Sequence, residues 1–158
     1  MPDWITESTG YTACMAPLLL MPAVIGIVLL AAYGRDPLSR MAASFTLKPV
    51  VAAPLWGAIL IWTGSFNRNG SDPAFLLSML PGGILTLFIV WKFRSLFRGP
   101  QPHWAWILLG LDGVRWSNSL FFSSSPHPVL GMVSVGVATM MPTLYALVAL
   151  AVATRRRK

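Results

Sequence analysis

The sequence predicts an all-α membrane protein: a bundle of five transmembrane helices with the amino terminus outside and the carboxyl terminus in the cytoplasm. Composition is the first observation behind this prediction. The chain of 158 residues is 55% hydrophobic and only 11% charged, with a mean hydropathy of +0.64, whereas soluble domains are about 25% charged. The second observation is a series of five apolar stretches, each close to the roughly 17–25 residues that cross a bilayer as a helix.

The five predicted spans occupy nearly the whole chain as a single integral membrane domain. They cover residues 13–33, 49–66, 74–93, 104–123 and 129–153. Because the connectors are short, the sequence leaves no room for a soluble catalytic domain, and we expect no enzyme. The amino-terminal segment carries Asp3 and Glu7 and no basic residue, unlike a secretory signal peptide, so we expect the first span to be retained as a helix.

A short amphipathic helix is predicted between the first two spans. Asp36 followed by Pro37 is typical of a helix start, with an N-cap and then a proline at the first helical position. The apolar residues that follow share one helical face: Leu38, Met41, Ala42 and Phe45. We therefore expect residues 37–47 to lie in the membrane interface, with an irregular loop as the alternative.

The third span contains an unusual sequence in its middle, Pro81-Gly82-Gly83. Proline removes a backbone hydrogen bond and glycine weakens the neighbouring turn, so a kink is predicted. A fully broken helix, as transporters use at substrate sites, is the alternative. We expect the helix to continue through Arg98 and to end at Gly99-Pro100.

The distribution of positive charge predicts the topology. With the amino terminus outside, ten of the twelve Lys and Arg residues fall on the inner side, as the positive-inside rule requires. They are Arg35, Arg40, Lys48, Lys92, Arg94, Arg98, Arg155, Arg156, Arg157 and Lys158. Arg68 is placed outside, and Arg115 lies within the fourth span. The location expected for the protein is a bacterial cytoplasmic membrane or an internal membrane derived from it.

The fourth span carries the main candidate site, a stripe of polar residues along one helical face. Asp112, Arg115, Ser119 and Ser123 fall within about 80° of one another at 100° per residue, and Asn118 flanks them. A single charge at the centre of a span costs about 2.5–3.5 kcal/mol. Stacking of Asp112 against Arg115 at a spacing of three residues would offset part of that cost, so we expect the stripe to face protein, water or a partner.

Three interpretations of this stripe stay open. In the first, Asp112 and Arg115 form an internal ion pair that fixes how the helices or subunits assemble. In the second, Asp112 titrates or binds a cation on a transport pathway with Arg115 as its counter-charge. The third is a site for a lipid headgroup, a quinone or a pigment, or a segment that does not cross the membrane.

Other candidate ligands are few. His103 and His127 could each ligate a pigment or a haem iron singly, but they are predicted at opposite ends of the bundle and cannot share one metal ion. No metal site is expected, and Cys14 is the only cysteine. The basic tail, Arg155, Arg156, Arg157 and Lys158, is expected to contact anionic lipid.

The sequence therefore predicts a non-enzymatic accessory or assembly subunit of a larger membrane complex, with an energy-transducing or photosynthetic complex as one host. Its partners are expected to be membrane lipids and other membrane subunits. The net charge of +7 is explained by positive residues beside the spans, and no nucleic-acid partner is expected. No cofactor is required, although bound lipid, a pigment or a quinone would fit. The alternative function is a small homo-oligomeric transporter or channel that uses Asp112 and Arg115.

Overall fold

The computed structural model describes residues 20–63, 73–99, 102–121 and 128–156. In these ranges the chain forms five α-helices and no strand, so the predicted all-α class is confirmed. The helices are α1 (Leu20–Tyr33), α2 (Pro37–Thr63), α3 (Pro73–Lys92), α4 (Pro102–Phe121) and α5 (Pro128–Arg155), with a 3₁₀ turn at Arg94–Phe97.

Two helices contain segments long and apolar enough to cross a membrane. These segments are Pro37–Ile59 of α2 and Gly136–Arg155 of α5. The apolar stretches Leu20–Tyr33 and Met79–Lys92 are shorter. A helix rises about 1.5 Å per residue, so α4 with its 20 residues is about 30 Å long. By length and composition, the two segments in α2 and α5 are candidate membrane spans.

Four of the helices, α2 to α5, begin at a proline. Proline suits the first helical position because its fixed φ is already helical and its missing N–H would have no partner there. At α2 the start is reinforced by Asp36, whose Oδ2 accepts hydrogen bonds from the backbone N–H of Ser39 at 2.9 Å and from its hydroxyl at 2.8 Å. The predicted helix start at Asp36-Pro37 is confirmed.

The prediction of a separate interfacial helix at residues 37–47 is wrong. Helix α2 runs without a break through Pro49 and Pro54 to Thr63. The apolar face was identified correctly, but it packs inside the protein: Leu38, Met41, Ala42 and Phe45 are at most 1% exposed. The physical reason lies at Lys48, which was expected to mark the membrane surface. Its side chain is only 3% exposed because it forms an ion pair within the bundle.

Helix α2 lies at the centre of the bundle and packs against α3, α4 and α5. The core around it draws on every helix, with Leu29 from α1, Ile89 from α3, Leu108 from α4 and Val152 from α5. Small residues, including Ala42, Ala43, Ala105, Ala149 and Ala153, are completely buried in this core. Small side chains let helix backbones approach closely, so these alanines bring the polar side chains of neighbouring helices within reach.

Helix α3 continues through Pro81-Gly82-Gly83 as far as Lys92, so the alternative of a broken helix is wrong. It ends earlier than the predicted Arg98, and Arg94–Phe97 form a 3₁₀ turn instead. Gly83 is required by packing: a Cβ at this position would lie 2.5 Å from the Cζ2 atom of Trp116 on α4. The glycine therefore makes room for the indole ring between α3 and α4.

One end of the bundle carries many Lys and Arg residues, which lie at helix termini and in the loops that connect the helices. We call it the basic end. Asp36, before α2, forms an ion pair with Arg156 after α5. The guanidinium of Arg155 lies 5.4 Å from the ring centroid of Trp104 near the start of α4. Exposed cations at this end are Arg35, Arg40, Lys92, Arg94, Arg98, Arg155 and Arg156. The helix ends whose cations the sequence places on the inner side therefore lie together. Lys48 is the exception among those cations, because it lies inside the bundle.

Candidate functional site

The candidate site is a buried polar cluster built from one side chain on each of four helices. Lys48 lies on α2, Thr86 on α3, Asp112 on α4 and Tyr145 on α5. We call these four residues the Asp112 cluster. Asp112 and Tyr145 are 0% exposed and Lys48 is 3% exposed, so the cluster is enclosed by the helices that supply it.

Asp112 is the acceptor at the centre of the cluster. Its Oδ1 forms an ion pair with Lys48 Nζ and accepts a hydrogen bond from the hydroxyl of Tyr145 at 3.2 Å. Its Oδ2 lies 2.6 Å from the Oγ1 of Thr86, which donates to it. That hydroxyl oxygen also accepts a bond from Lys48 Nζ at 2.8 Å. Each carboxylate oxygen therefore has a donor from another helix.

The position of these residues in the sequence places the cluster deep within the bundle. Counted at about 1.5 Å per residue, Lys48 lies about 17 Å along α2 from Pro37, and Asp112 about 15 Å along α4 from Pro102. Tyr145 lies about 15 Å from Arg155, at the other end of α5. Since these helix ends all belong to the basic end, three independent helices place the cluster at the same depth.

Electrostatics explains why the four side chains lie together. A buried charge without a partner is very costly, whereas a buried pair is tolerated when its remaining donors and acceptors are satisfied. Lys48 supplies the opposite charge for Asp112, and the hydroxyls of Thr86 and Tyr145 complete the shell around the carboxylate. The carboxylate therefore constrains the relative positions of α2, α3, α4 and α5.

The predicted ion pair between Asp112 and Arg115 is wrong, because Asp112 pairs with Lys48 instead. The expected helical geometry is present, but the carboxylate is directed into the bundle toward α2. The side chain of Arg115 is partly exposed and acts on Lys48 and Tyr145 only through space. Among the described residues, no hydrogen bond or ion pair to Arg115 is found.

The other members of the predicted stripe have different positions. Asn118 is buried, 5% exposed, so it faces protein as expected. Ser119 lies on α4, but its side chain is outside the described part of the structure. Ser123 is outside the described residues altogether.

The remaining candidate residues lie at the basic end or outside the described ranges. His103 is exposed at the start of α4, with its ring centroid 5.8 Å from that of Trp104. Arg155 and Arg156 are exposed, while His127, Arg157 and Lys158 lie outside the described residues. Within the described ranges, no group of three His, Cys, Asp or Glu side chains is placed to hold a metal ion.

Sequence reasoning missed Lys48, Thr86 and Tyr145 as partners of Asp112. For Lys48 a signal was present: Leu38, Met41, Phe45 and Lys48 follow the spacing of one helical face. Extending the apolar face by one turn would have placed the lysine inside. For Thr86 and Tyr145 no comparable signal exists, since a single hydroxyl within an apolar helix is common.

A small cleft lies between α1 and α5, separate from the Asp112 cluster. It has a volume of about 40 Å³ and is lined by Met21, Pro22, Ile25, Thr143, Ala146 and Leu147. Ligand sites are typically about 300–1,000 Å³, so this cleft is too small for an organic substrate. Among the described residues, the candidate site is the Asp112 cluster together with Arg115 beside it.

Comparison of the chain with models of known protein families, with curated proteins and with solved structures finds no match.

Proposed function

We propose that this chain is a non-enzymatic integral membrane protein that crosses the bilayer five times and serves as an accessory or assembly subunit of a larger membrane complex. The observation that carries the proposal is the Asp112 cluster, in which one carboxylate joins side chains from α2, α3, α4 and α5. Such a closed cluster suits a role in fixing helix positions, since its charged atoms are shielded from solvent.

The outward-facing residues support a membrane location. Large apolar side chains are exposed on several helices, among them Trp62 at 82%, Leu87 at 71% and Met140 at 68%. Soluble monomers seldom expose apolar surface on this scale. Lipid tails and the helices of other subunits would cover these side chains.

The ion pair also supports membrane insertion of α4, the most polar of the predicted spans. A charge at the centre of a span costs about 2.5–3.5 kcal/mol, and Asp112 recovers part of that cost through Lys48 and two hydroxyls. The cations gathered at the basic end favour placement of that end in the cytoplasm. A bacterial cytoplasmic membrane, or an internal membrane derived from it, would be the location.

The enclosed arrangement of the Asp112 cluster supports the role as a subunit. Its polar atoms are satisfied by one another and are enclosed, which favours a structural use over chemistry on a substrate. We infer that an energy-transducing or photosynthetic complex is one suitable host, with bound lipid, a quinone or a pigment supplied by that complex.

The mass of the protein purified in a mild detergent from its own membrane tests this proposal. We expect the chain to migrate with larger membrane proteins, in a complex several times its own mass of 17.2 kDa. A single species made only of this chain would contradict the proposed role as a subunit.

A small homo-oligomeric transporter or channel is the second candidate. It is favoured by the same cluster, because ionisable residues inside a membrane often mark an ion or substrate pathway. Here Asp112 would bind the transported ion, and Lys48 and Arg115 would be its counter-charges. Ion flux into liposomes that contain only the purified chain, lost on Asp112→Asn, would favour this candidate over the subunit.

A further inference from the structure

Arg115 is a charged side chain that lies beside the Asp112 cluster but forms no ion pair or hydrogen bond with it. It lies on α4 one turn beyond Asp112 and is partly exposed. A guanidinium carries five N–H donors in a fixed plane. Among the described residues, none accepts a hydrogen bond from it and none forms an ion pair with it.

The charges around Arg115 do not balance. Lys48 and Arg115 each carry one positive charge and Asp112 carries one negative charge, so the group has a net charge of +1. Asp112 forms its ion pair with Lys48, and its other donors are the hydroxyls of Tyr145 and Thr86 and not Arg115. Within the described part of the chain, no carboxylate is left to balance this excess charge.

The depth of Arg115 in the bilayer limits which chemical groups could accept hydrogen bonds from its guanidinium. At about 1.5 Å per residue, it lies about 20 Å along α4 from Pro102 and about 9 Å from Phe121. If α4 spans the bilayer, the Cα of Arg115 lies within the apolar layer, where water is scarce. A carboxylate on a neighbouring helix can reach this depth, and it binds arginine with two parallel hydrogen bonds.

We propose that Arg115 binds an Asp or Glu side chain on a transmembrane helix of another protein, which packs along α4. This inference rests on the proposed role as a subunit and names the chemistry of the contact. A second copy of this chain fits less well, because each copy brings a net charge of +7. Its described acids are also engaged, Asp36 with Arg156 and Asp112 with Lys48.

The test compares Arg115→Gln and Arg115→Lys in two settings, with Arg94→Gln as the matched control. Arg94 is an exposed arginine at the basic end. In lipid nanodiscs containing the isolated chain, we expect Arg115→Gln to keep or raise the Tm, because a charge without a partner is removed. In the native membrane, Arg115→Gln should reduce the amount of complex at least ten-fold, while Arg94→Gln leaves it unchanged. Arg115→Lys should reduce it less than Arg115→Gln.

The chemistry of the partner is tested by exchanging charges. We expect Arg115→Glu to abolish the complex, and replacement of the partner's intramembrane Asp or Glu by Arg to restore it. Co-purified proteins without any acidic residue in their transmembrane segments would overturn the inference. So would a loss of Tm in the isolated Arg115→Gln chain, which would place the role of Arg115 inside the chain.

If Arg115 binds a group other than a carboxylate of another protein, these experiments give different results. If phosphatidylglycerol raises the Tm of the isolated chain and Arg115→Gln removes that effect, a lipid phosphate is the acceptor and the inference fails. If only a homo-oligomer dissociates, a second copy is the partner and the inference again fails. A wild-type chain found without other proteins contradicts the role as a subunit, whereas equal amounts of complex with wild type and Arg115→Gln contradict only the inference on Arg115.

Discussion

At the scale of single residues, the structure depends on how one buried carboxylate is satisfied. Asp112 receives a charged donor and two hydroxyls from three other helices. A buried ion pair contributes little net stability compared with apolar residues of the same volume, yet removal of one partner is strongly destabilising. The pair is therefore best understood as a constraint on which helices pack together.

A double-mutant cycle on Lys48 and Asp112 tests this constraint. We expect Lys48→Met alone and Asp112→Leu alone each to lower the free energy of unfolding by about 3–5 kcal/mol, since each leaves a buried charge without a partner. The double variant should lose far less than the sum. Denaturant titration in detergent micelles gives the three values.

Additive losses in that cycle would contradict the pairing seen in the structure. Exchange of Lys48 and Asp112 provides a further check, since Lys48→Asp with Asp112→Lys preserves the pair while reversing its direction. Exchange of Asp112 with Arg115, in contrast, should destabilise the chain, because it places an arginine opposite Lys48.

The hydroxyl of Thr86 offers a second test, with Thr154 as its matched control. Thr86→Val removes the bond to Asp112 Oδ2 and the acceptor for Lys48. We expect it to lower the free energy of unfolding by about 0.6 kcal/mol, the average for hydrogen bonds between membrane helices, and by no more than about 1.7 kcal/mol. Thr154 bonds only to carbonyl groups of its own helix and is exposed, so Thr154→Val should change little. Equal effects from both variants would contradict a role for Thr86 in the cluster.

The sequence could identify Asp112 but not its partner. A carboxylate in an apolar segment must be satisfied somewhere, and that much follows from the cost of burying charge. The nearest cation along the helix, Arg115, was the obvious candidate. The actual partner is 64 residues away in sequence. The helical spacing could place Lys48 on the buried face of α2, but its pairing with Asp112 depends on the packing of α2 against α4, which no local pattern encodes.

At the scale of helices, most starts were predictable and some ends were not. Asp36-Pro37 gives a local capping signal, and the helix begins there. The continuity of α2 was not predictable in the same way. Lys48-Pro49 has the appearance of a boundary, since a charge followed by proline commonly ends a helix. Tertiary contacts with Asp112 reverse that preference, because they give the lysine a partner inside the bundle.

Gly83 and Gly82 form a matched pair for testing the contact between α3 and α4. A Cβ on Gly83 would lie 2.5 Å from Trp116 Cζ2, whereas one on Gly82 would lie 3.8 Å from the same atom. We expect Gly83→Ala to destabilise the chain by about 1–3 kcal/mol through overpacking. Gly82→Ala should be neutral or slightly stabilising, because alanine favours the helix. Thermal unfolding in detergent compares the two, and similar losses from both would contradict the position of the Trp116 ring.

At the scale of the whole molecule, the arrangement of the helix ends agrees with the predicted charge asymmetry. The segments that carry Arg35, Arg98 and Arg156 are separated by long helices along the chain. Contacts between Asp36 and Arg156, between Arg155 and Trp104, and between the rings of Phe97 and Trp106 nevertheless gather them at one end. Lys48 is the exception, because it was counted among the surface charges and lies in the core.

The central claim, that the chain crosses the membrane five times with its basic end in the cytoplasm, is tested most directly by labelling single cysteines. Cys14 is the only natural cysteine, so Cys14→Ala gives a cysteine-free background. Cysteines are then introduced singly at Arg35 and Arg98 of the basic end, and at Asn69 and Ser125 of the predicted outer connectors.

In intact cells, we expect a membrane-impermeant maleimide to label the cysteines at positions 69 and 125 and not those at 35 and 98. After permeabilisation all four should react, and a reporter fused to the carboxyl terminus should be active in the cytoplasm. Labelling of position 35 or 98 in intact cells, or the same pattern at all four positions, would contradict the five-span arrangement.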